Sequence, residues 1–154
     1  MLCLFLRAGT ERLAVPASSV VEVVPAVRLH PAPGGPPWLA GLFRFRGSVT
    51  PVLDLHRLIE GTPCPVRLST RIVVIEAQVN NGPRHLGLLA ERVTDLKALA
   101  TIGAGYKFGQ AANGPDLGPI VADAEGVVRI PDISKLVPLA YQGLTFGLSD
   151  SPSQ

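Results

Sequence analysis

The chain has 154 residues, 47% hydrophobic and 17% charged, a balance that excludes a disordered polypeptide and leaves room for one domain or two small lobes around one core. Its net charge is +2, and its eleven arginines and three lysines are scattered without a basic block, which argues against strong nucleic-acid binding. Sixteen glycines and fifteen prolines interrupt the chain often, favouring many short strands over long helices. Cys3 and Cys64 are too few for a disulfide framework and form no Cys-x-x-Cys pair, so both are expected as free thiols in a cytoplasmic protein.

From the start, Met1 to Leu6 is apolar but lacks a basic flank and is cut short by Arg7, so neither a signal peptide nor a membrane span is expected. Leu2 to Arg7 reads as a buried strand, Ala8-Gly9-Thr10 as a turn, and Arg12 to Val15 as the returning strand, which Pro16 ends. Ser19-Val20-Val21-Glu22 has capping-box spacing, which predicts a short helix stopped by Pro25, with Ser18 and Ser19 as capping residues. Val27 to Leu29 suggests one more short strand, and His30 to Trp38 is a loop stiffened by prolines.

The most ordered pattern lies between Gly41 and Leu55. It predicts a strand, a tight turn at Gly47, a returning strand and a helix entry at Asp54. Strand alternation puts Phe43 and Phe45 on one face and Arg44 and Arg46 on the other. Pro51 has no N–H, which marks the returning strand as an edge or a strand start. A loop from Glu60 to Ser69 follows and is a plausible joint between lobes.

The second half opens with a strand at Arg71 to Ile75. Asn80-Asn81-Gly82 signals a turn, Leu86 to Ala90 returns, and Val93 to Ala100 is a further strand. This echo of the first half suggests two similar small barrels. Gly103 to Gly118 is read as a loop, Ile120 to Asp123 and Val127 to Ile130 as a last hairpin, and Asp132 to Leu136 as a helical turn; Ser149 to Gln154 is a polar tail.

No catalytic constellation emerges. His30, His56 and His85 lack the i, i+4 spacing of a helical metal site and are expected as surface or loop residues. Gly103 to Gly109 lacks the strand–turn–helix setting of a dinucleotide site, and no Gly-Lys-Ser/Thr occurs. No Gly-x-Ser-x-Gly elbow surrounds Ser18 or Ser19; Asp54 reads as a helix start and His56 as a solvated side chain. Glu22 and Arg46 read either as a cap and a solvated strand residue or as complementary charges that orient a partner.

Leu29-His30-Pro31-Ala32-Pro33, Gly41, Phe45-Arg46-Gly47 and Thr50-Pro51-Val52-Leu53-Asp54-Leu55, in that order, resemble the central signature of CheW-like domains. Val20-x-Glu22-Val23, Thr70 to Val74 and Gly87 to Glu91 are similar to its flanking segments, and the resemblance spans roughly residues 2 to 137. It implies an all-β fold with short helices, in which two small five-stranded SH3-like barrels pack around a shared core. It implies a single domain over 1–148, with lobe one at about 1–67 plus part of the C-terminal segment and lobe two at about 68–137, before the 149–154 tail.

The function implied is a non-catalytic adaptor that needs no cofactor. It would couple the regulatory domain of a CheA-type histidine kinase to the cytoplasmic tip of a chemoreceptor, without inserting into the membrane. By match of motif, Val20, Glu22, Gly41 and Arg46 stand at or near partner surfaces. Ala90-Glu91 and Arg129-Ile130-Pro131-Asp132 depart from the family pattern, and Pro131 predicts an early end to the last strand. The rival reading is a nucleic-acid-binding small barrel, which calls for exposed aromatics interleaved with basic residues; Trp38, Tyr106 and Tyr141 are far apart in sequence.

Overall fold

The computed structural model describes residues 1–80, 82–102 and 117–141. In chain order its elements are β1 (Leu2–Ala8), β2 (Glu11–Pro16), one 3-10 turn (Ala17–Ser19), β3 (Val20–Pro25), β4 (Leu39–Phe45), β5 (Ser48–Asp54), α1 (Leu55–Glu60), β6 (Arg71–Val79), β7 (Gly82–Ala90), β8 (Arg92–Ala98), β9 (Ile120–Asp123), β10 (Gly126–Arg129) and α2 (Ile133–Tyr141).

The strands form two five-stranded sheets, a central one in the order β3-β6-β7-β5-β4 and a terminal one in the order β8-β1-β2-β10-β9. The division therefore does not follow the expected split near residue 67. The central sheet takes an uninterrupted middle stretch of chain, and the terminal sheet is assembled from both flanks. Two parallel contacts make this possible, β5 beside β7 and β10 beside β2.

Each sheet is tied back on one side by a segment that lies outside its strands, while β3 and β8 remain edge strands. In the central barrel His30 exchanges two backbone hydrogen bonds of 2.8 Å with Leu42. In the terminal barrel the segment after β8 reaches β9, where Ile102 N–H donates to the Ala122 carbonyl at 2.8 Å.

Alternation along the strands sorts the apolar residues into three cores. Phe43, Phe45, Val52, Ile72, Val74 and Leu89 fill the central barrel, and Cys3, Phe5, Ala14 and Val128 fill the smaller terminal one. Residues of opposite parity, among them Leu4, Leu6, Leu13, Val15, Leu53, Val73, Ile75 and Leu88, form a larger shared core between the barrels. Leu55 and Leu58 of α1, and Leu136, Val137 and Ala140 of α2, complete it.

The hairpin between β4 and β5 follows the sequence reading. Phe43 and Phe45 are buried, Arg44 is exposed, and the Asp54 carboxylate caps α1 by accepting from Arg57 N–H at 3.0 Å. Its other oxygen accepts from Cys64 N–H at 2.9 Å, fastening the loop after α1. Gly61, at φ +84°, closes the helix in the left-handed conformation that glycine adopts without penalty.

Several expectations are corrected. Val20 to Glu22 is not a helix: four valines between Val20 and Val24 favour the extended β3, and this β-branched run outweighs the capping-box spacing. Ser18 and Ser19 lie in the 3-10 turn, whose start has no side-chain cap. Val27 to Leu29 forms no strand, and that region contributes only the bridge at His30. β5 is flanked on both sides; Pro51 sits one residue before its register with β7 begins at Val52. The last helical segment is longer than one turn and runs to Tyr141. The expected loop at 103–118 lies mostly outside the described residues, and the expected tail at 149–154 wholly so.

Candidate partner-binding surface

The β4–β5 turn consists of Arg46 at φ +49° and Gly47 at φ +84°, two left-handed residues in a row, as in the tightest hairpins. Arg46 is thus a turn residue, not a strand neighbour of Arg44, and the turn decides where its side chain goes. Its guanidinium lies over the Phe45 ring, 5.0 Å from the centroid, and Nη2 donates to Glu22 Oε1 at 3.3 Å. The side chains are 61% and 47% exposed, so this ion pair contributes at most about 1 kcal/mol and can be exchanged for another at little cost. Below it, Phe45 packs edge-on to His85 with centroids 5.5 Å apart.

Glu22 belongs to β3, directly after a bulge that separates it from Val20. Val20 pairs with Ile75 and Val23 with Val73, both shared-core residues, so these valines carry the core outward onto an edge strand. Val20 is half-buried and Val23 is 38% exposed. The terminal barrel does the same on its own edge strand β8. Leu96 pairs with Leu4 and Val93 with Leu6, yet Leu96 is 61% exposed, with Leu2 nearby on β1 at 52%. The shared core therefore surfaces on one edge strand of each barrel.

Gly41 is placed differently. It is buried at φ +152°, and a Cβ there would sit 2.6 Å from the His30 carbonyl oxygen and 2.8 Å from Leu29 Cβ. It has no side chain to offer a partner, and its bareness lets β4 approach the strap that closes the central barrel. Of the four residues singled out by sequence, the fold joins Glu22 to Arg46, sets Val20 on the edge of the shared core, and buries Gly41.

His56, Glu60, His85 and Glu91 have structural partners. His56 is not solvated: its side chain is 12% exposed, with Nδ1 donating to the Thr62 carbonyl at 2.7 Å and Nε2 lying 3.2 Å from Glu91. Glu91 stands at the junction between β7 and β8, where one barrel hands the chain to the other, and it also accepts from Gly9 N–H at 3.1 Å. Glu60 accepts from the N–H and hydroxyl of Thr10, at 2.9 and 2.8 Å, which holds its carboxyl below the usual range. Together α1 and Glu91 clamp the β1–β2 turn onto the central barrel. His85 lies on β7, not in a loop, 3.0 Å from Glu76.

Cys64 is buried and its thiol is pushed up to about 12, first by burial and then by the nearby charges of Asp54 and Glu91. Burial also raises Cys3. Neither thiol is a nucleophile near neutral pH. Among the described residues no three histidine, cysteine or acidic side chains are grouped to hold a metal, and no helix is long and apolar enough to cross a membrane.

Sequence reasoning missed the apolar exposure on β8 and the clamp at His56. Val93 and Leu96 are three residues apart and share a face only through the bulge in the β1–β8 register, so period-two alternation gives no sign of the first. The clamp has none, since its parts are distant in sequence.

Two small barrels share one core, and residues facing that core reach the surface on β3 of one barrel and on β8 of the other. A family model, the CheW-like domain, matches residues 2–140, and the chain belongs to that family, whose members are non-catalytic scaffolds of chemotaxis-type signalling. It is 32% identical over 139 residues to Protein FrzA of Myxococcus xanthus, covering 88% of this chain and 84% of that one. It is 28% identical over 89 residues to Protein PilI of Pseudomonas aeruginosa, covering 58% of this chain and 46% of the other. The crystal structure of the scaffolding protein TtCheW from Thermoanaerobacter tengcongensis superposes with a TM-score of 0.70 at 17% identity, covering 86% and 84% of the two chains. The two SH3-like barrels are thus the shared fold.

Proposed function

We propose that this chain couples chemoreceptors to a CheA-type histidine kinase by binding both at once in the cytoplasm. In this reading the receptor tip, a helical hairpin, lies in a groove between the two barrels. The regulatory domain of the kinase docks barrel end to barrel end. The observation that carries the proposal is the continuity of the shared core onto β3 and β8, at Val20, Val23 and Leu96, with a loosely held ion pair joining Glu22 of β3 to Arg46 of the β4–β5 turn. Apolar contact supplies association energy, and Glu22 and Arg46 set orientation by exchanging each other for partner charges. Gly41 acts indirectly, by keeping the central barrel closed behind them. Moderate affinity for each partner suffices, because contacts in an array act together.

The test is a pull-down with a kinase regulatory domain and, separately, with a receptor-tip fragment. Arg46→Glu sets two carboxylates against each other and should weaken at least one of these associations. Because the lost pair is exposed, the melting temperature should change by no more than about 4 °C. Wild-type capture of both partners by Arg46→Glu refutes the role given to this pair.

A further inference from the structure

The arginines that look scattered in sequence are gathered by the fold at one place. On the terminal sheet Arg7 of β1 stands directly opposite Arg12 of β2 and directly opposite Arg92 of β8. Residues paired across strands project to the same face, and like charges so placed repel. Three strands span about 10 Å, so three guanidinium stems rise from a very short row.

Only one of the three is neutralised within the described chain. Arg12 makes a bidentate pair with Asp123 at 3.0 and 2.9 Å and lies 4.0 Å from Glu125. Arg7 and Arg92 have no carboxylate within ion-pair distance among the described residues. Every described carboxylate except Asp95 already accepts a hydrogen bond, and Asp95, on β8, lies 3.8 Å from Lys97. Arg7 also lines an open groove of about 460 Å³, shared with Thr10, Arg12 and Arg129.

We propose that the Arg92–Arg7–Arg12 row, together with the groove that Arg7 and Arg12 line, receives an acidic peptide segment of a partner protein, bearing two or three closely spaced carboxylates. The surface lies on the terminal barrel and is independent of the β3 ion pair. A short acidic segment fits better than a nucleic-acid backbone for two reasons. The row is only three residues wide, which suits a few carboxylates and not a long phosphate backbone. The aromatic ring nearby, Phe5, is buried beneath Arg12 and Lys97, so it offers no base a stacking surface.

The test uses a fluorescein-labelled decapeptide of alternating glutamate and serine, with its glutamine counterpart and a ten-nucleotide single strand as controls, read by polarisation against the full chain. The glutamate peptide should bind, weaken as sodium chloride is raised, and lose about tenfold in affinity in Arg7→Gln/Arg92→Gln. The double variant should melt no lower than wild type, because it relieves repulsion. Arg7→Lys/Arg92→Lys should retain most of the binding. If the double variant fails to fold, Arg92→Gln alone, at an exposed position, should still weaken the peptide measurably. The proposal is overturned by absence of binding at millimolar peptide, by equal binding of the glutamine peptide, by unchanged affinity in the glutamine variants, or by tighter binding of the oligonucleotide.

Discussion

Replacing Gly41 by alanine separates a residue that touches partners from one that holds the fold. The added Cβ would sit 2.6 Å from the His30 carbonyl oxygen, which cannot swing away because His30 is bonded in both directions to Leu42. It would also meet Leu29 Cβ at 2.8 Å, and φ +152° is itself unfavourable for a residue with a side chain. Overpacking costs about 1–3 kcal/mol and the backbone conformation about 1 kcal/mol more, a total near 3 kcal/mol. For a domain of this size that is a fall of roughly 6–12 °C in melting temperature. Thermal and urea melts of wild type and Gly41→Ala, with partner capture measured well below both transitions, read the two effects apart. A variant that melts within about 1 °C of wild type yet loses capture would refute the argument, and would make Gly41 a contact residue.

Phe45→Ala should destabilise the protein by about 3–5 kcal/mol in urea melts, because it empties the ring's place between Phe43, His85 and Arg46. Asp123 is held below the usual carboxylate range by its bonds to Arg12, so its contribution is full above about pH 4 and is lost as pH falls through the lowered value. The stability gap between wild type and Asp123→Asn should accordingly be large at pH 7 and shrink below pH 4; a gap that is the same at pH 7 and pH 3 would count against the pair. Cys3 and Cys64 should resist a thiol reagent at pH 8 in the folded protein and react promptly in denaturant. Rapid labelling of the native chain would show that either thiol is accessible.

The β4–β5 hairpin was legible because its information is local: alternating phenylalanine and arginine, a glycine turn, and an aspartate before a helix. Glu22 was misplaced on a helix because two local signals compete there, a capping-box spacing and a run of valines, and barrel pairing with β6 decides between them. Barrel membership was not legible, since the parallel contacts of β5 with β7 and of β2 with β10 join segments that leave no mark on one another's sequence. For the same reason Glu22 and Arg46 could be named as residues of interest, but their pairing came only from the way the central barrel curls. Gly41 stood out by motif, whereas its reason for being glycine lies in a carbonyl eleven residues earlier.

The enclosure of a contiguous middle unit by strands from both flanks carries a consequence for synthesis. As the chain leaves the ribosome, β1 and β2 emerge before any of the strands that will flank them, whereas β3 to β7 come out in one stretch and can close on their own schedule. The early hairpin, with Leu4, Phe5 and Leu6 in it, must stay unclaimed until β8 and then β10 arrive more than eighty residues after β2 began. That waiting period is when this protein is most open to wrong pairing, and where a chaperone would find it.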